Sequence, residues 1–219
     1  ECDFGAIRSV YKRMAETQNT TSPGPIIFSS CLKEDRWHNQ SGCKSFERWH
    51  FDALSDDGRE ALVIKFYDNY VFSPRYFQQS GNHNGHPITH EKRCPAISFA
   101  YSVDGKIILQ ATNEFRAGEF CASDNGVNCS IGASSFRIDA ASYGSGFMIK
   151  IDLMTARKRV IKAELEWLSI ESNLSEAPAE TDTALWNMVA PRSDVSGRIE
   201  LIGHRGKPRR LVQFRGTGY

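Results

Sequence analysis

The chain has almost no excess of charge of either sign. Its 27 Lys and Arg residues and 26 Asp and Glu residues leave a formal net charge of +1 over 219 residues. Such a balance gives no strong field that would draw the protein to nucleic acid or to an anionic membrane surface. The basic cluster His204–Arg210 is interpreted as a solvated hairpin loop, and we predict no nucleic-acid partner.

The sequence also lacks a continuous apolar run of the roughly 20 residues that a membrane-spanning helix needs, so no membrane span is predicted. Its cysteines do not have the spacing of a zinc ribbon. His83, His86 and His90 lie in a segment rich in Gly, Asn and Pro rather than on a helix, which disfavours a metal site. Ser73-Pro74 and Ser134-Ser135 have no nucleophile-elbow context. We therefore expect neither a metal nor another cofactor.

Cysteines and glycosylation sequons are what the chain does contain. Six cysteines occur together with four Asn-x-Ser/Thr sequons, at Asn19, Asn39, Asn128 and Asn173. This combination favours passage through the secretory pathway, with disulfides and N-glycans. A first residue Glu1 rather than Met fits removal of a signal peptide. We therefore predict a protein that is secreted or resides in the lumen of the secretory pathway.

The spacing of the cysteines suggests which of them pair. The predicted disulfides are Cys31–Cys43, Cys121–Cys129 and Cys2–Cys94. The first two enclose short polar loops and can close locally, whereas the third is left by subtraction. Glu119–Ser135 is accordingly interpreted as a disulfide-pinned loop. Six cysteines allow many other pairings, and these stay open.

Short alternating segments between turn residues predict a protein made largely of β-strands. Val160–Ile170 alternates apolar and polar side chains, as a half-buried antiparallel strand does. Asp57-Gly58 and Asp104-Gly105 supply the positive φ angles of two tight hairpins. Ala6–Glu16 has the apolar stripe of a short amphipathic helix. We predict one all-β domain over residues 1–219, an antiparallel β-sandwich or lipocalin-like barrel with this one N-terminal helix.

The first hairpin, around Ser55–Gly58, has two chemically different faces. Pairing across the turn places five apolar side chains on one face, which we interpret as core: Trp49, Phe51, Leu62, Ile64 and Phe66. The opposite face presents Arg48, His50, Asp52, Lys65, Tyr67 and Asn69. In an antiparallel sheet such a face is either solvated or the wall of a ligand cavity, and both interpretations stay open.

Residues 51–77, FDALSDDGREALVIKFYDNYVFSPRYF, are the most specific stretch of the chain. The run resembles the carotenoid hydratase (hydroxyneurosporene synthase) family, whose members carry a similar DALSDDG turn, a second strand and a V-F-S-P-x-Y ending. The same superfamily includes the fungal Diels-Alderases. Weaker resemblances follow in the family's order at Phe147–Asp152, Val160–Ser169, Trp186–Arg192 and Phe214–Tyr219.

The resemblance implies a two-domain architecture, because members of this family continue past the Gly-Tyr pair with a second lipocalin-like barrel. This sequence stops at Tyr219. We therefore expect the chain to be the N-terminal half of a two-domain enzyme, with a second domain or chain completing the active site. The alternative is a protein that departs from the family and works without that domain.

The function that the resemblance implies is that of a pericyclase in fungal secondary metabolism. It would bind a hydrophobic small-molecule substrate, a terpenoid or polyketide intermediate, and direct a Diels-Alder or hetero-Diels-Alder cyclisation without a cofactor. The secretory character favours the hetero-Diels-Alderases of tropolone-terpenoid pathways. Two alternatives stay open: a hydratase or isomerase of a terpenoid or carotenoid alkene, and a lipocalin-like carrier that binds a hydrophobic ligand without turnover.

Donor and acid–base side chains of the first hairpin form the centre of the predicted site. The predicted catalytic residues are Asp52, His50 and Tyr67, which would relay a proton or polarise a carbonyl group. The predicted substrate-binding residues are Lys65, Asn69, Phe72, Tyr76, Trp167, Trp186 and Arg192. For His50 and Asp52 the structural alternative is a hairpin salt bridge.

Overall fold

The computed structural model of the chain describes residues 26–28, 35–39, 45–80, 93–141, 144–170, 186–188, 192–203 and 208–219. The strands in these ranges are β1 (Ile26–Phe28), β2 (Arg48–Ser55), β3 (Glu60–Tyr67), β4 (Ala96–Val103), β5 (Lys106–Glu114), β6 (Phe120–Ala122), β7 (Asn128–Ile131), β8 (Ser134–Ala141), β9 (Gly144–Met154), β10 (Val160–Ser169), β11 (Trp186–Met188), β12 (Ser193–Ile202) and β13 (Pro208–Gly218). A short α-helix, α1 (Pro74–Ser80), follows β3, and a 3-10 turn (Ala117–Glu119) precedes β6.

Eleven of these strands form one antiparallel sheet in the order β5-β4-β3-β2-β13-β12-β10-β9-β8-β7-β6. β1 and β11 form a separate parallel pair. The large sheet curls into a half-barrel. The prediction of an all-β, antiparallel, barrel-like fold is therefore confirmed.

The inner, concave face of the half-barrel is filled by one aromatic and aliphatic core. Phe51 of β2 lies at its centre, with its ring centroid 5.4 Å from Phe136, 5.2 Å from Phe147 and 5.8 Å from Trp167. These three partners come from β8, β9 and β10, on the far side of the sheet. The curl thus brings both halves of the sheet onto the same core, in which edge-to-face ring pairs add to the burial of apolar surface.

The first hairpin has the predicted register. Phe51 lies opposite Ile64 and Trp49 opposite Phe66, and all four side chains are buried. Gly58 adopts a φ of 70° in the turn, where its amide donates to the Ser55 carbonyl at 2.8 Å. The alternation of the sequence therefore gives the correct inner and outer faces for β2 and β3.

Two glycines allow β13 to lie against β2, where the two halves of the sheet meet. A Cβ atom at Gly216 would lie 1.9 Å from the Leu54 carbonyl oxygen, and one at Gly218 would lie 2.4 Å from the Asp52 carbonyl oxygen. No other residue type fits at this distance without moving the backbone. The R-G-T-G-Y sequence at the end of β13 thus has a structural explanation in the close approach of two strands.

The prediction that Glu119–Ser135 is a disulfide-pinned loop is wrong. The segment contains the hairpin of β6 and β7, in which Cys121 lies opposite Ser130 and Cys129 lies opposite Ala122. This register places the two sulfur atoms on opposite faces of the sheet, with Cys129 buried and Cys121 exposed, and both are free thiols. Backbone hydrogen bonds rather than a Cys121–Cys129 bond hold the segment together.

Several predicted features lie outside the described residues: the helix at 6–16, Cys2, Cys31 and Cys43, and the sequons at Asn19 and Asn173. Asn39 and Asn128, at the other two sequons, are exposed. Cys94 is buried in a small satellite core with Tyr76 of α1. In the part of the chain that the structure describes, no helix is both long and apolar enough to span a membrane.

Candidate functional site

The outer face of β2 and β3 carries a compact polar cluster, which we call the outer-face cluster: Arg48, His50, Asp52 and Lys65, with Tyr219 from the end of β13. His50 lies directly opposite Lys65 in the hairpin. The side chains of His50 and Asp52 are half-buried, with 15% and 26% of their surface exposed. The face is therefore neither fully solvated nor part of the core.

His50 and Asp52 form the acid–base pair of this cluster. The two residues are separated by one position on β2, so their side chains point the same way and the imidazole Nε2 is hydrogen-bonded to the Asp52 carboxylate. Tyr219 holds Asp52 from the other side through two backbone hydrogen bonds of 2.9 Å, and its phenol also donates to the Asp52 carboxylate. The carboxylate is thus oriented from both neighbouring strands.

The electrostatics of the cluster keep Asp52 ionised. Partial burial alone would raise the pKa of Asp52, but its interactions with His50, Tyr219 and Lys65 outweigh burial and leave that pKa below its ordinary value. The bond to Asp52 in turn raises the pKa of the Tyr219 phenol. At neutral pH Asp52 is therefore a hydrogen-bond acceptor that orients His50, and it is poorly suited to protonating a carbon atom.

An aromatic run adjoins the outer-face cluster. Tyr67, at the end of β3, lies opposite Arg48, and its ring centroid is 5.0 Å from that of Tyr70. The Tyr70 ring is in turn 5.6 Å from Phe72, half of which is exposed. Three rings in sequence give an apolar wall that begins next to the acid–base pair.

Two of the predicted binding residues instead support the local structure. The Asn69 side chain is buried, donates to the Ser45 carbonyl at 3.3 Å and accepts from the Cys94 amide at 3.2 Å. Tyr76 is buried on α1 against Cys94. Their contacts explain why these residues follow β3 in the sequence, and they do not place either side chain in the outer-face cluster.

The V-F-S-P-x-Y sequence forms the start of α1. Ser73 Oγ accepts a hydrogen bond from the Arg75 amide at 3.0 Å, as an N-cap does, and donates to the Glu114 carboxylate at 2.6 Å. Pro74 occupies the first helical position, where the absent N–H costs no hydrogen bond. The signature therefore joins α1 to the end of β5.

The remaining predicted binding residues lie on or next to β10, β11 and β12. Trp167 is fully buried on the inner face, and its Nε1 has no hydrogen-bond partner. Arg192 is exposed, and its carbonyl accepts from the Ile170 amide at 3.0 Å. Trp186 lies in the small parallel pair, opposite Ile26. Of the ten predicted site residues, the structure brings Asp52, His50 and Lys65 together, and it places Tyr67 and Phe72 in the adjoining aromatic run. Arg192 directly precedes Ser193, which pairs with Gly218, so it lies next to Tyr219.

A second polar cluster lies at the end of β3 and fixes the segment before β2. Asp68 is buried, forms an ion pair with Arg93, and accepts from the Glu47 amide at 2.6 Å and from Trp37 Nε1 at 3.4 Å. Burial raises the pKa of Asp68 to about 6, against the lowering effect of the Glu47 amide and Arg93. With three donors on its carboxylate, Asp68 is ionised at neutral pH and acts as a structural anchor.

Asp35, in the same segment, is a carboxyl group of a different kind. Burial, together with the charge of Glu47, raises the pKa of Asp35 to about 8, although His38 opposes the shift. The Asp35 carbonyl also accepts from Trp49 Nε1 at 2.9 Å, which ties the residue to β2. A carboxyl group that stays protonated at neutral pH can act as a general acid.

The sequence alone does not identify Tyr219 or Asp35 as site residues. Tyr219 contacts Asp52 only because β13 pairs with β2, and no local pattern predicts pairing between segments so far apart in the chain. Asp35 lies in a short irregular stretch without periodicity, and its burial depends on tertiary contacts.

A surface cleft of about 540 Å³ lies between β5 and the turn after β9, lined among others by Thr112 and Lys158. It contains none of the predicted site residues. The clustered titratable groups of β2 and β3 are chemically the better candidate.

The fold and the site together define an antiparallel β half-barrel with a half-buried acid–base cluster on its outer face. The chain is 21% identical over 195 residues to a protein named hydroxyneurosporene dehydrogenase from Chlorobaculum tepidum, a match that covers 85% of this chain and 50% of that protein. The chain thus spans about half the length of this curated relative. The chain matches no protein-family model and no solved structure. The similarity is distant.

Proposed function

We propose that the chain is the β-rich part of an enzyme that acts on an unsaturated terpenoid-type substrate at the outer face of β2 and β3. Two lines of support converge on this substrate class. The similarity to hydroxyneurosporene dehydrogenase extends over 85% of the chain, and the name of that relative refers to a carotenoid. The local resemblance of residues 51–77 points to the same chemistry.

The observation that carries the proposal is the position of the aromatic run beside the acid–base pair. An ionised Asp52 orients His50, which is then able to take up and return a proton. Tyr67, Tyr70 and Phe72 continue from the end of β3, with Tyr67 buried and half of Phe72 exposed, and would contact the hydrocarbon part of the substrate. Together they would hold a polyene with one reactive end at His50.

Within this class we propose a pericyclase that directs a Diels-Alder or hetero-Diels-Alder reaction. His50 would assist dehydration of a hydroxymethyl precursor to a reactive quinone methide, and the aromatic wall would fold the two reacting parts together. Holding both parts in a reactive geometry removes much of the entropic barrier without a nucleophile. The ionised state of Asp52 supports proton relay rather than direct protonation of an alkene.

A second domain or chain would cover the outer face. The curated relative is about twice as long as the matched region, and the outer-face cluster is half-buried although it is on the convex side of the sheet. A covering domain would exclude water and strengthen the electrostatic interactions of His50 and Asp52. The secretory localisation and the N-glycans remain predictions that accompany this proposal.

Hydration of an alkene is the second candidate, and Asp35 favours it. Protonation of a carbon atom needs a carboxylic acid that is still protonated at neutral pH, and the raised pKa of Asp35 meets that need. A carrier with its ligand inside the described sheet receives less support, because aromatic and aliphatic side chains fill that interior.

The test combines product analysis with isotope labelling. The native protein is incubated in H₂¹⁸O with hydroxyneurosporene as an acyclic polyene, and in parallel with a hydroxymethyl tropolone and a terpenoid alkene. A cyclised product without label that is lost in Asp52→Asn supports the pericyclase. Incorporation of ¹⁸O that is lost in Asp35→Asn supports the hydratase instead. Binding of these compounds without any product would contradict both the pericyclase and the hydratase.

The intact mass of the native protein tests the domain proposal separately. We expect a mass well above the 24.6 kDa of this chain, with part of the excess removed by peptide N-glycosidase. A native, active protein of the bare mass would contradict both the covering domain and the glycans.

A further inference from the structure

The lysine of the outer-face cluster, Lys65, interacts with the charge of Asp52 but forms no ion pair with it in the part of the chain that the structure describes. Lys65 is directly opposite His50 on β2 and Ser98 on β4. The residues of β4 that flank Ser98 on this face are Ala96 and Ala100, so β4 supplies no charge. Among the described residues Lys65 forms no ion pair with a carboxylate.

The carboxylate of the cluster is engaged elsewhere. Asp52 accepts hydrogen bonds from His50 and from the Tyr219 phenol. By contrast, Lys162 on the other half of the sheet lies 3.6 Å from Asp152. Lys162 thus forms an ion pair across its neighbouring strands, whereas Lys65 forms none among the described residues.

The surroundings of Lys65 increase the fraction of its amine that is neutral. Burial lowers the pKa of Lys65, the positive charge of Arg48 lowers it further, and the negative charge of Asp52 opposes both. A neutral lysine amine is a nucleophile towards carbonyl carbon, and burial beside another cation is a known way to produce one.

We propose that Lys65 forms an imine with a conjugated aldehyde or ketone of the substrate. The nitrogen adds to the carbonyl carbon, the carbonyl oxygen leaves as water with the two hydrogens of the amine, and a C=N bond replaces the C=O bond. His50, directly opposite, carries the protons between nitrogen and oxygen. The inference rests on the proposed function only for the unsaturated terpenoid character of the substrate.

The imine would activate the substrate for addition. Once protonated, the C=N group withdraws electrons from the adjacent C=C bond, which then reacts more readily with an alkene or with water. The charge that forms lies beside Asp52, in a half-buried position where opposite charges interact strongly. The aromatic run that begins at Tyr67 would hold the rest of the conjugated chain.

The test measures the reactivity of single lysines in the full-length protein without a terpenoid substrate. Cinnamaldehyde and sodium cyanoborohydride trap imines as stable secondary amines, which peptide mass spectrometry locates. We expect trapping at Lys65 to exceed trapping at Lys162 several-fold. Arg48→Gln should lower trapping at Lys65, because loss of the Arg48 charge removes one of the causes that lower the pKa of the Lys65 amine.

Equal trapping at Lys65 and Lys162 would overturn the inference, as would full turnover of the native substrate by Lys65→Arg. Circular dichroism checks that the variants fold. Selective trapping at Lys65 in a protein that leaves every terpenoid probe unchanged would instead contradict the proposed function, so the two failures are distinguishable.

Discussion

The outer faces of the two halves of the sheet differ in how their charges are paired. On β9, β10 and β12, cations and anions alternate across the strands, with Arg198 2.8 Å from Glu164 and Lys162 3.6 Å from Asp152. On β2, β3 and β4, small uncharged side chains surround a few titratable groups, which are half-buried. Both halves alternate inner and outer residues in the same way. The outer face of β9, β10 and β12 is solvated and its charges are paired, whereas the charges on the outer face of β2, β3 and β4 are not fully paired within the described residues.

Alternation of apolar and polar residues identifies the core of this sheet but not its candidate site. Both halves place apolar side chains inward and polar ones outward. What distinguishes the candidate site is the scarcity of compensating charge and the adjoining aromatic rings. Perturbed titratable groups of this kind concentrate at functional sites, whereas balanced ion pairs on an exposed face contribute little.

The largest effect is expected from Asp52→Asn. Loss of the carboxylate leaves His50 without its orienting charge, and we expect turnover to fall by about 10²- to 10⁴-fold, the usual contribution of an acid–base group. Asp152→Asn on the charged half is the matched control and should keep full activity. Steady-state kinetics of both variants give the two turnover rates. Equal rates would mean that the outer face of β2 and β3 is not the site of the reaction.

Trp49→Ala tests the inner face of the same hairpin. Trp49 is buried and donates to the Asp35 carbonyl at 2.9 Å, so truncation should lower the free energy of unfolding by about 3–5 kcal/mol. Leu54→Ala, on the same strand but 56% exposed, should change it by less than about 1 kcal/mol. Urea denaturation of both variants checks the prediction, and similar values would show that the faces are misassigned.

The lowered pKa of Asp52 predicts a pH dependence of stability. Because the folded-state pKa lies below the unfolded value of about 3.9, the stabilisation is present above that pH and is lost as the pH falls through the folded pKa. Between about pH 6 and pH 2 the wild-type protein should therefore lose more stability than Asp52→Asn. Urea denaturation at both pH values gives the two losses, which would be equal if Asp52 were unperturbed.

The smallest change in stability is expected from a substitution on the outer face of β9, β10 and β12. Arg198→Gln removes ion pairs with Glu164 and Glu200 that are largely exposed, and should cost about 0–1 kcal/mol, less at high salt. Thermal unfolding at low and high salt measures this cost. A larger, salt-independent loss would mean that this face is buried against something and is not simply solvated.

Strands and hairpin register could be predicted from the sequence, because they depend on neighbouring residues. Contacts between segments far apart in the chain could not. The two faces of β2 and β3 follow from alternation around Gly58, and their register is confirmed. The same reasoning predicted the strand Val160–Ser169 within one residue. These elements depend on neighbours in the sequence, which a pattern can reveal.

The errors have physical reasons as well. The spacing of Cys121 and Cys129 was interpreted as a loop closed by a disulfide, whereas the segment between them turns a hairpin whose register separates the sulfur atoms. The contact of Tyr219 with Asp52 arises from the pairing of the last described strand with β2. No property of either residue alone predicts that contact.

The approach of β13 to β2 through Gly216 and Gly218 has a consequence for folding. The neighbours in the sheet are otherwise close in sequence, so β2–β5 and β6–β13 are each meanders of low contact order. They meet along three residue pairs, whereas β12 and β13 pair along ten. We expect the pairing of β13 with β2 to form last during folding and to open first in native-state hydrogen exchange. The two folding units would therefore separate between β2 and β13, beside Asp52.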